Sequence, residues 1–391
     1  MTRPVTRESL ERRRLSAELP ADSSGTAAPA DRLPDLVQKG RGAVSNRPGR
    51  YEPGDRPRED DGWAGSLGDD EDLPALATTI SVDGTRSIIA WNESPDLGFD
   101  RSINPYRGCE HGCVYCFARP THAYLGLSPG LDFETRLFAK PEAPRLLADE
   151  LSKPGYRPAV LGLGTNTDPY QPVEREMRIT RGILEVLAAF NHPVTIVTKS
   201  ALVLRDIDIL AAMAKKSLAN VTLSITTLDK ELARRMEPRA NAPSRRLAAI
   251  AGLAEAGVPV GVLAAPMIPA LNDMELEAIL AAAAKAGATG AGYVLLRLPL
   301  EIRDLFEEWL QAHVPAKAKH VLSLIRDTRR GSLYVDKFGE RQRGHGPYAE
   351  LLAKRFRLAV KRLGLDRRRD WSPRTDLFRV PPRPGDQLSL L

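Results

Sequence analysis

Cys109, Cys113 and Cys116 are the only three cysteines in the 391 residues, and they form a Cys-x₃-Cys-x₂-Cys run. Three thiolates this close can hold three irons of a cubane cluster and leave the fourth iron without a protein ligand. An open coordination position is where a metal site does chemistry instead of stapling a fold. The same cysteines also suit a structural zinc, with His111 or His122 as fourth ligand, or they are unrelated thiols. A disulfide framework is disfavoured, because the count is odd and Met1-Thr2-Arg3-Pro4 opens no apolar secretory segment. Free thiols fit a reducing, cytoplasmic setting, and no apolar run is long enough to span a membrane.

Further polar groups stand where short apolar runs end. Asp168 lies in Gly164-Thr165-Asn166-Thr167-Asp168-Pro169, a loop dense in hydroxyl, amide and carboxylate groups that also reads as an ordinary turn. Lys199 ends Val197-Thr198-Lys199, where it is either an anion ligand or an exposed loop lysine. Ser224 lies in Leu223-Ser224-Ile225-Thr226-Thr227, whose hydroxyls suit a ribose or a helix cap. Arg239, in the polar break Glu237-Pro238-Arg239, is a candidate anion clamp.

The elements that must position these residues alternate. Residues 159–164, 194–198, 220–226, 259–264 and 292–297 read as strands, and 175–190, 202–216, 243–256 and 273–286 as helices. Asn272 or Asp273 reads as the N-cap of the last of these, with Gly287 at its C-terminus. With one strand before Cys109, this makes six β/α units and a parallel sheet with right-handed crossovers. Periodicity alone fits a doubly wound sheet equally well. Ligands of α/β barrels gather at the C-terminal strand ends, where the polar groups above fall.

From about Asn104 to Arg297 the chain resembles the radical S-adenosylmethionine (SAM) superfamily, in its spore photoproduct lyase-like branch. The resemblance is carried by the cysteine run with Tyr115 inside it, the Asp168 loop, Val197-Thr198-Lys199, Ser224, Glu237-x-Arg239 and Ala264-Ala265-Pro266. It implies an α/β fold, a partial (β/α)₆ TIM-like barrel. It also implies a [4Fe–4S] cluster on Cys109, Cys113 and Cys116, with SAM contacted by Asp168, Lys199, Ser224 and Arg239. Tyr115 is the candidate catalytic residue, and a one-electron donor of flavodoxin or ferredoxin type is the implied partner. In that branch a cysteine near the end of strand two, aided by tyrosines, returns a hydrogen atom. Here Thr165 stands at or beside that position, and Phe117, which cannot relay a hydrogen atom, follows the third cysteine. Three cysteines also leave no room for an all-cysteine auxiliary cluster.

Four regions follow. Residues 1–75 are Pro-, Gly- and Ser-rich and read as a disordered extension. Residues 76–101 form a short β lead-in, with a hairpin at Asp83-Gly84 between Thr78 and Trp91. Residues 102–300 are the core, and 301–391 a helical basic region with a loose tail from Pro373. That last region carries 20 Lys+Arg against 12 Asp+Glu, whereas the other 300 residues carry 36 against 38. On the helix near 348–363, Leu352, Phe356, Ala359 and Leu363 form one face and Lys354, Arg357 and Lys361 another. The expected function is radical chemistry on nucleic acid, by repair or modification, bound through this basic region. Radical chemistry on a protein or metabolite, and a zinc-stabilised nucleic-acid-binding protein, are the alternatives.

Overall fold

The computed structural model describes residues 32–33, 37–52, 58–59, 76–366 and 372–382. Two short strands, β1 (Arg32–Leu33) and β2 (Arg58–Glu59), pair antiparallel in a compact unit of their own. The other described residues belong to a second unit. Its strands in chain order are β3 (Thr79–Val82), β4 (Ala90–Trp91), β5 (Arg101–Ile103), β6 (Tyr106–Arg107), β7 (Arg136–Ala139), β8 (Leu161–Leu163), β9 (Val194–Thr198), β10 (Ala219–Ile225), β11 (Val260–Met267) and β12 (Gly290–Leu295).

The main sheet runs β12-β11-β10-β9-β8-β5-β4. Every pair from β5 to β12 is parallel, and β4 is antiparallel at the edge. A doubly wound sheet reverses its strand order at a switch point. This one does not reverse, which leaves the singly wound (β/α)₆ arrangement. Among the described residues β12 and β4 do not pair, so the barrel is partial. Across this opening, the amide of Leu295 donates to the carbonyl of Gln342 (2.8 Å), and Gly339 and Arg341 bind the Asp96 carboxylate (2.8 and 2.5 Å).

Strand alternation separates two faces. Ile196, Val221, Leu223 and Val262 point outward and are fully buried against Leu147, Ile183, Leu184 and Ile250. Each such side chain contributes about 1.5–3 kcal/mol when fully buried. The alternate positions face inward. The register aligns Gly162 with Thr195, Thr195 with Asn220, and Thr222 with Gly261. A closed barrel fills this space with branched side chains; here glycines and hydroxyls line it.

Three expectations are corrected. There is no hairpin at Asp83-Gly84: β3 pairs parallel with β7 and β4 antiparallel with β5. The Asp83 amide donates to the Ala139 carbonyl and its carboxylate pairs with Arg107 (2.6 Å), so long-range pairing overrides the local turn signal. Within the stretch read as disordered, residues 37–52 are folded onto the second unit, and residues 41–45 are buried. The rest of 1–75 lies outside the described residues, apart from β1 and β2. The tail is packed over 372–382: Phe378 lies against Tyr156, Phe190 and His192, and the Arg379 amide donates to the Phe190 carbonyl (3.0 Å).

Asn272 precedes the turn Asp273–Glu275, but its side chain does not cap that turn. It accepts from the Ile268 amide (2.6 Å) and donates to the carbonyls of Thr226 and Pro266, which ties the ends of β10 and β11 together. The helices Ile302–His313 and Pro315–Asp327 share an apolar cluster with Cys113, Val114 and Tyr115 through Phe306, Trp309, Leu310 and Ile325. The helix Pro347–Leu363 lies along Leu276–Lys285, held by Tyr348–Asp273 (2.6 Å) and Arg355–Glu277 (2.6 Å). Its apolar stripe faces in, and Lys354, Arg357 and Lys361 are exposed. Among the described residues no helix is long and apolar enough to cross a membrane.

Candidate active site

The cysteine loop leaves β6 and crosses the C-terminal rim of the sheet. Gly108 and Gly112 both have positive φ (75° and 66°), which glycine adopts without strain. A Cβ on Gly112 would meet the Glu134 carboxylate at 2.6 Å. The loop is wound by short-range bonds: Gly112 N to Cys109 O (3.3 Å), Cys116 N to Cys113 O (3.1 Å) and Arg119 N to Cys116 O (3.1 Å).

A buried ion pair holds it from outside. Arg119 and Glu134 are both fully buried and 2.5 Å apart. Arg119 also donates to the carbonyls of Cys113 (2.8 Å), Gly112 (3.1 Å), Pro129 (3.0 Å) and Gly130 (2.8 Å). The remaining acceptor capacity of Glu134 is filled by the amides of Gly42 (2.9 Å) and Ala43 (2.8 Å). The ion pair, buried but fully bonded, thus locks the segment 41–45 against the cysteine loop. Gly42 approaches so closely that a Cβ would lie 1.8 Å from the Gly112 carbonyl oxygen. Nothing in the composition of 1–75 marks this segment, because its partners, from the Gly42 and Ala43 amides on Glu134 to Arg41 on the Glu134 carbonyl and Ser45 on Glu308, are far away in sequence.

The three cysteines are free thiols, Cys109 and Cys113 buried and Cys116 half-buried. Burial pushes all three upward in pKa. Lys199 counters this at Cys113 and Cys116, as do Arg246 at Cys113 and Arg119 at Cys116. Soft thiols close enough to repel one another as thiolates, set among cations, are the donor set an iron–sulfur cluster needs. Among the described residues no group of three or more His, Cys, Asp or Glu side chains surrounds a single ion. His111 Nδ1 faces Asp168 (3.4 Å), and His122 Nε2 faces the Arg136 carbonyl (2.9 Å).

Three of the sequence-derived residues meet at the adjoining strand ends. Asp168 accepts from the Thr198 hydroxyl and the Lys199 amide, both at 2.7 Å. Burial opposes its ionisation, but His111, the Lys199 amide and the Thr198 hydroxyl hold it at about 2. The Lys199 ammonium donates to Ser224 Oγ (3.2 Å) and lies 5.7 Å from the centre of the Tyr115 ring. The register explains the first contact: Thr222 pairs with Val197, so two positions on Ser224 stands opposite Lys199. Among the described residues no carboxylate pairs with this ammonium.

Arg239 is not brought to that cluster. Its amide donates to the His111 carbonyl (3.3 Å), and its guanidinium pairs with Glu110 (3.2 Å). The residue of that break that turns inward is Glu237. It accepts from Tyr115 Oη, Thr226 Oγ1 and the fully buried Arg246. Burial pushes the Glu237 carboxyl upward, with Arg246 opposing. Arg246 also donates to the carbonyls of Ser224 (2.9 Å) and Asn241 (2.7 Å), fixing the end of β10. Tyr115 is therefore pinned behind the loop, with Thr226 Oγ1 at 3.0 Å. Glu237 and Arg246 were missed as a pair, since a spacing of nine residues across a helix start has no local signature.

The family model of the radical SAM superfamily matches residues 103–283. An uncharacterized protein from Mycobacterium tuberculosis is 38% identical over 275 residues, 69% of this chain and 79% of the relative. An uncharacterized protein from Methanocaldococcus jannaschii is 30% identical over 173 residues, 44% of this chain and 62% of the relative. Among solved structures, spore photoproduct lyase complexed with dinucleoside spore photoproduct is similar in fold, with TM-score 0.51 and 15% identity over 73% of this chain and 78% of that one.

Proposed function

The chain belongs to the radical SAM superfamily, and we propose that the rim bearing the cysteine loop is where it binds SAM and acts on its substrate. As a radical SAM enzyme it uses a [4Fe–4S] cluster and SAM, and it needs a one-electron reductant. When bound, the cluster supplies the electron that cleaves SAM to methionine and a 5′-deoxyadenosyl radical. In this reading Cys109, Cys113 and Cys116 hold the cluster. The Lys199 ammonium receives the SAM carboxylate, Ser224 Oγ orients that ammonium, and Asp168 fixes the turn that carries it. Tyr115 acts by position, its hydroxyl held by Glu237 and Thr226. Arg239 steadies the loop through its backbone. The observation that carries the reading is the meeting of an unneutralised lysine, Ser224 and Asp168 beside three free thiols. The experiment is anaerobic reconstitution, then dithionite and SAM, with assay for 5′-deoxyadenosine; none formed at full cluster content sinks the reading.

We take nucleic acid as the first substrate class, in a repair or modification reaction of lyase type, with a flavodoxin- or ferredoxin-like donor. The basic C-terminal region supports it. One observation favours the second reading, a protein or metabolite substrate. The helix Pro347–Leu363 starts beside Asp273, beyond the end of β11, and Asp366 bridges Gly290 at the start of β12. Lys354, Arg357 and Lys361 therefore lie down the outer wall, away from the rim.

A further inference from the structure

Arg297 follows β12 and so stands on the same rim as Lys199, at the edge of the sheet. Its guanidinium lies 5.1 Å from the centre of the Phe117 ring, and Phe117 is the residue after Cys116. Phe117 is 43% exposed, an unusual setting for a large apolar ring beside a metal-ligand loop. Arg297 Nε is buried and has no hydrogen-bond partner, and among the described residues no carboxylate pairs with the guanidinium. The nearby Asp96 carboxylate is already taken by the Gly339 amide and Arg341. A second guanidinium lies behind: Arg329 is buried and donates to the carbonyls of Leu295 (3.2 Å), Leu296 (2.7 Å) and Glu340 (2.8 Å). Burial first, and then Arg297, lower Arg329 to about 10. The rim at β12 thus holds two adjacent cations; the one carboxylate near Arg297, Asp96, feels its charge but spends its hydrogen bonds on Gly339 and Arg341, so the Arg297 fork makes no hydrogen bond of its own among the described residues.

A buried guanidinium donor without a hydrogen-bond partner is costly, and an anion delivered by a ligand relieves it. The planar guanidinium fork matches a phosphate oxyanion in two parallel hydrogen bonds. We propose that Arg297, seated over the Phe117 ring, anchors an oxyanion of the substrate, a phosphodiester or a free phosphate group, next to the cysteine loop. The claim that this anion belongs to the substrate rests on the radical SAM reading; the anion site itself does not.

The test uses reconstituted full-length protein at low salt. Pyrophosphate binding is measured by calorimetry, and binding of a labelled oligothymidylate of about a dozen nucleotides by fluorescence anisotropy. Among the described residues the Arg297 side chain makes no hydrogen bond that Arg297→Gln would remove, so the fold should stand, and Arg297→Lys keeps the charge without the fork. The expected result is that wild type binds at least one probe and Arg297→Gln weakens it by ~10-fold or more. Arg297→Lys should fall between, with cluster absorbance unchanged in all three. Tighter binding of the oligonucleotide than of pyrophosphate points to a phosphodiester; the reverse points to a free phosphate group. Equal binding by wild type and Arg297→Gln, or no binding of either probe by wild type, overturns the proposal. If Arg297→Gln loses binding while wild type forms no 5′-deoxyadenosine, the anion site stands and the radical SAM reading fails.

Discussion

Where the parallel strands begin, His192 is enclosed by Tyr156, Phe190 and Phe378, with Nε2 2.8 Å from the Tyr156 hydroxyl and Nδ1 3.1 Å from the Pro193 carbonyl. Where they end, the Lys199 ammonium meets Ser224, the Arg297 Nε is buried without a hydrogen-bond partner, and among the described residues neither side chain is in an ion pair, while the three cysteines lie on the loop beside them. The same sheet is packed with aromatic rings at its foot and lined by cations and thiols at its mouth. Polar side chains gathered at the ends of the strands are where the proposed chemistry sits, whereas the foot is held by packing.

The comparison breaks most sharply if the mouth does not need its thiols. Cys109→Ala, Cys113→Ala or Cys116→Ala should each abolish both the visible cluster absorbance and 5′-deoxyadenosine formation. Retained cleavage in any one variant would contradict the assignment.

Next in size is the ion pair behind the loop. Glu134→Ala leaves Arg119 charged and buried without its partner, and should destabilise the protein by about 3–5 kcal/mol. Urea denaturation measures this, and iron content after reconstitution should fall with it. A truncation that removes residues 1–72 deletes the amides of Gly42 and Ala43 and should likewise lose iron. One that removes only residues 1–34 should retain it. Equal iron in both truncations would show that the 41–45 segment is dispensable.

The foot predicts a pH effect of the opposite kind. Burial lowers His192 to about 4, below the ~6.5 of an unfolded histidine. Between these values the unfolded chain binds more protons, so stability should fall as pH drops through that window, by up to about 3 kcal/mol. His192→Gln should flatten the dependence in denaturation curves at pH 7 and 4.5; an unchanged slope would mean that His192 is not held neutral.

The smallest expected effect lies on the outer wall. Changing Lys354, Arg357 and Lys361 together to Glu should leave cluster content and uncoupled SAM cleavage intact. If nucleic acid docks there, the salt dependence of binding should become shallower by about 0.9 per lost contact.

Legibility in the sequence followed the range of the interactions. Five of the six parallel strands were readable because they are largely apolar runs, as in Ala219–Ile225 and Val260–Met267; β5, Arg101–Ile103, is short and polar and was placed only by its position before the cysteines. Lys199 and Ser224 were readable because both terminate such runs. The segment 41–45 was not, since Gly42 and Ala43 bind by backbone to a glutamate 92 and 91 residues away. The tail was not, because it is held by one aromatic, Phe378, and by backbone bonds from Arg374 and Arg379 to Ser217 and Phe190, which leave no periodic pattern. Arg239 was singled out for its charge, yet Glu110 pairs with that charge, while Glu237, two residues earlier, is the group turned into the site.

The central claim is that the mouth binds a cluster with an open iron and holds SAM against it through Lys199. Electron paramagnetic resonance of the reduced, reconstituted protein tests this most directly, with and without SAM, in wild type and in Lys199→Ala. The account predicts a [4Fe–4S]⁺ signal in both proteins, shifted on adding SAM to wild type and shifted far less, or only at much higher SAM, in Lys199→Ala. A wild-type cluster signal that SAM leaves unchanged, or no cluster signal at all, would contradict it.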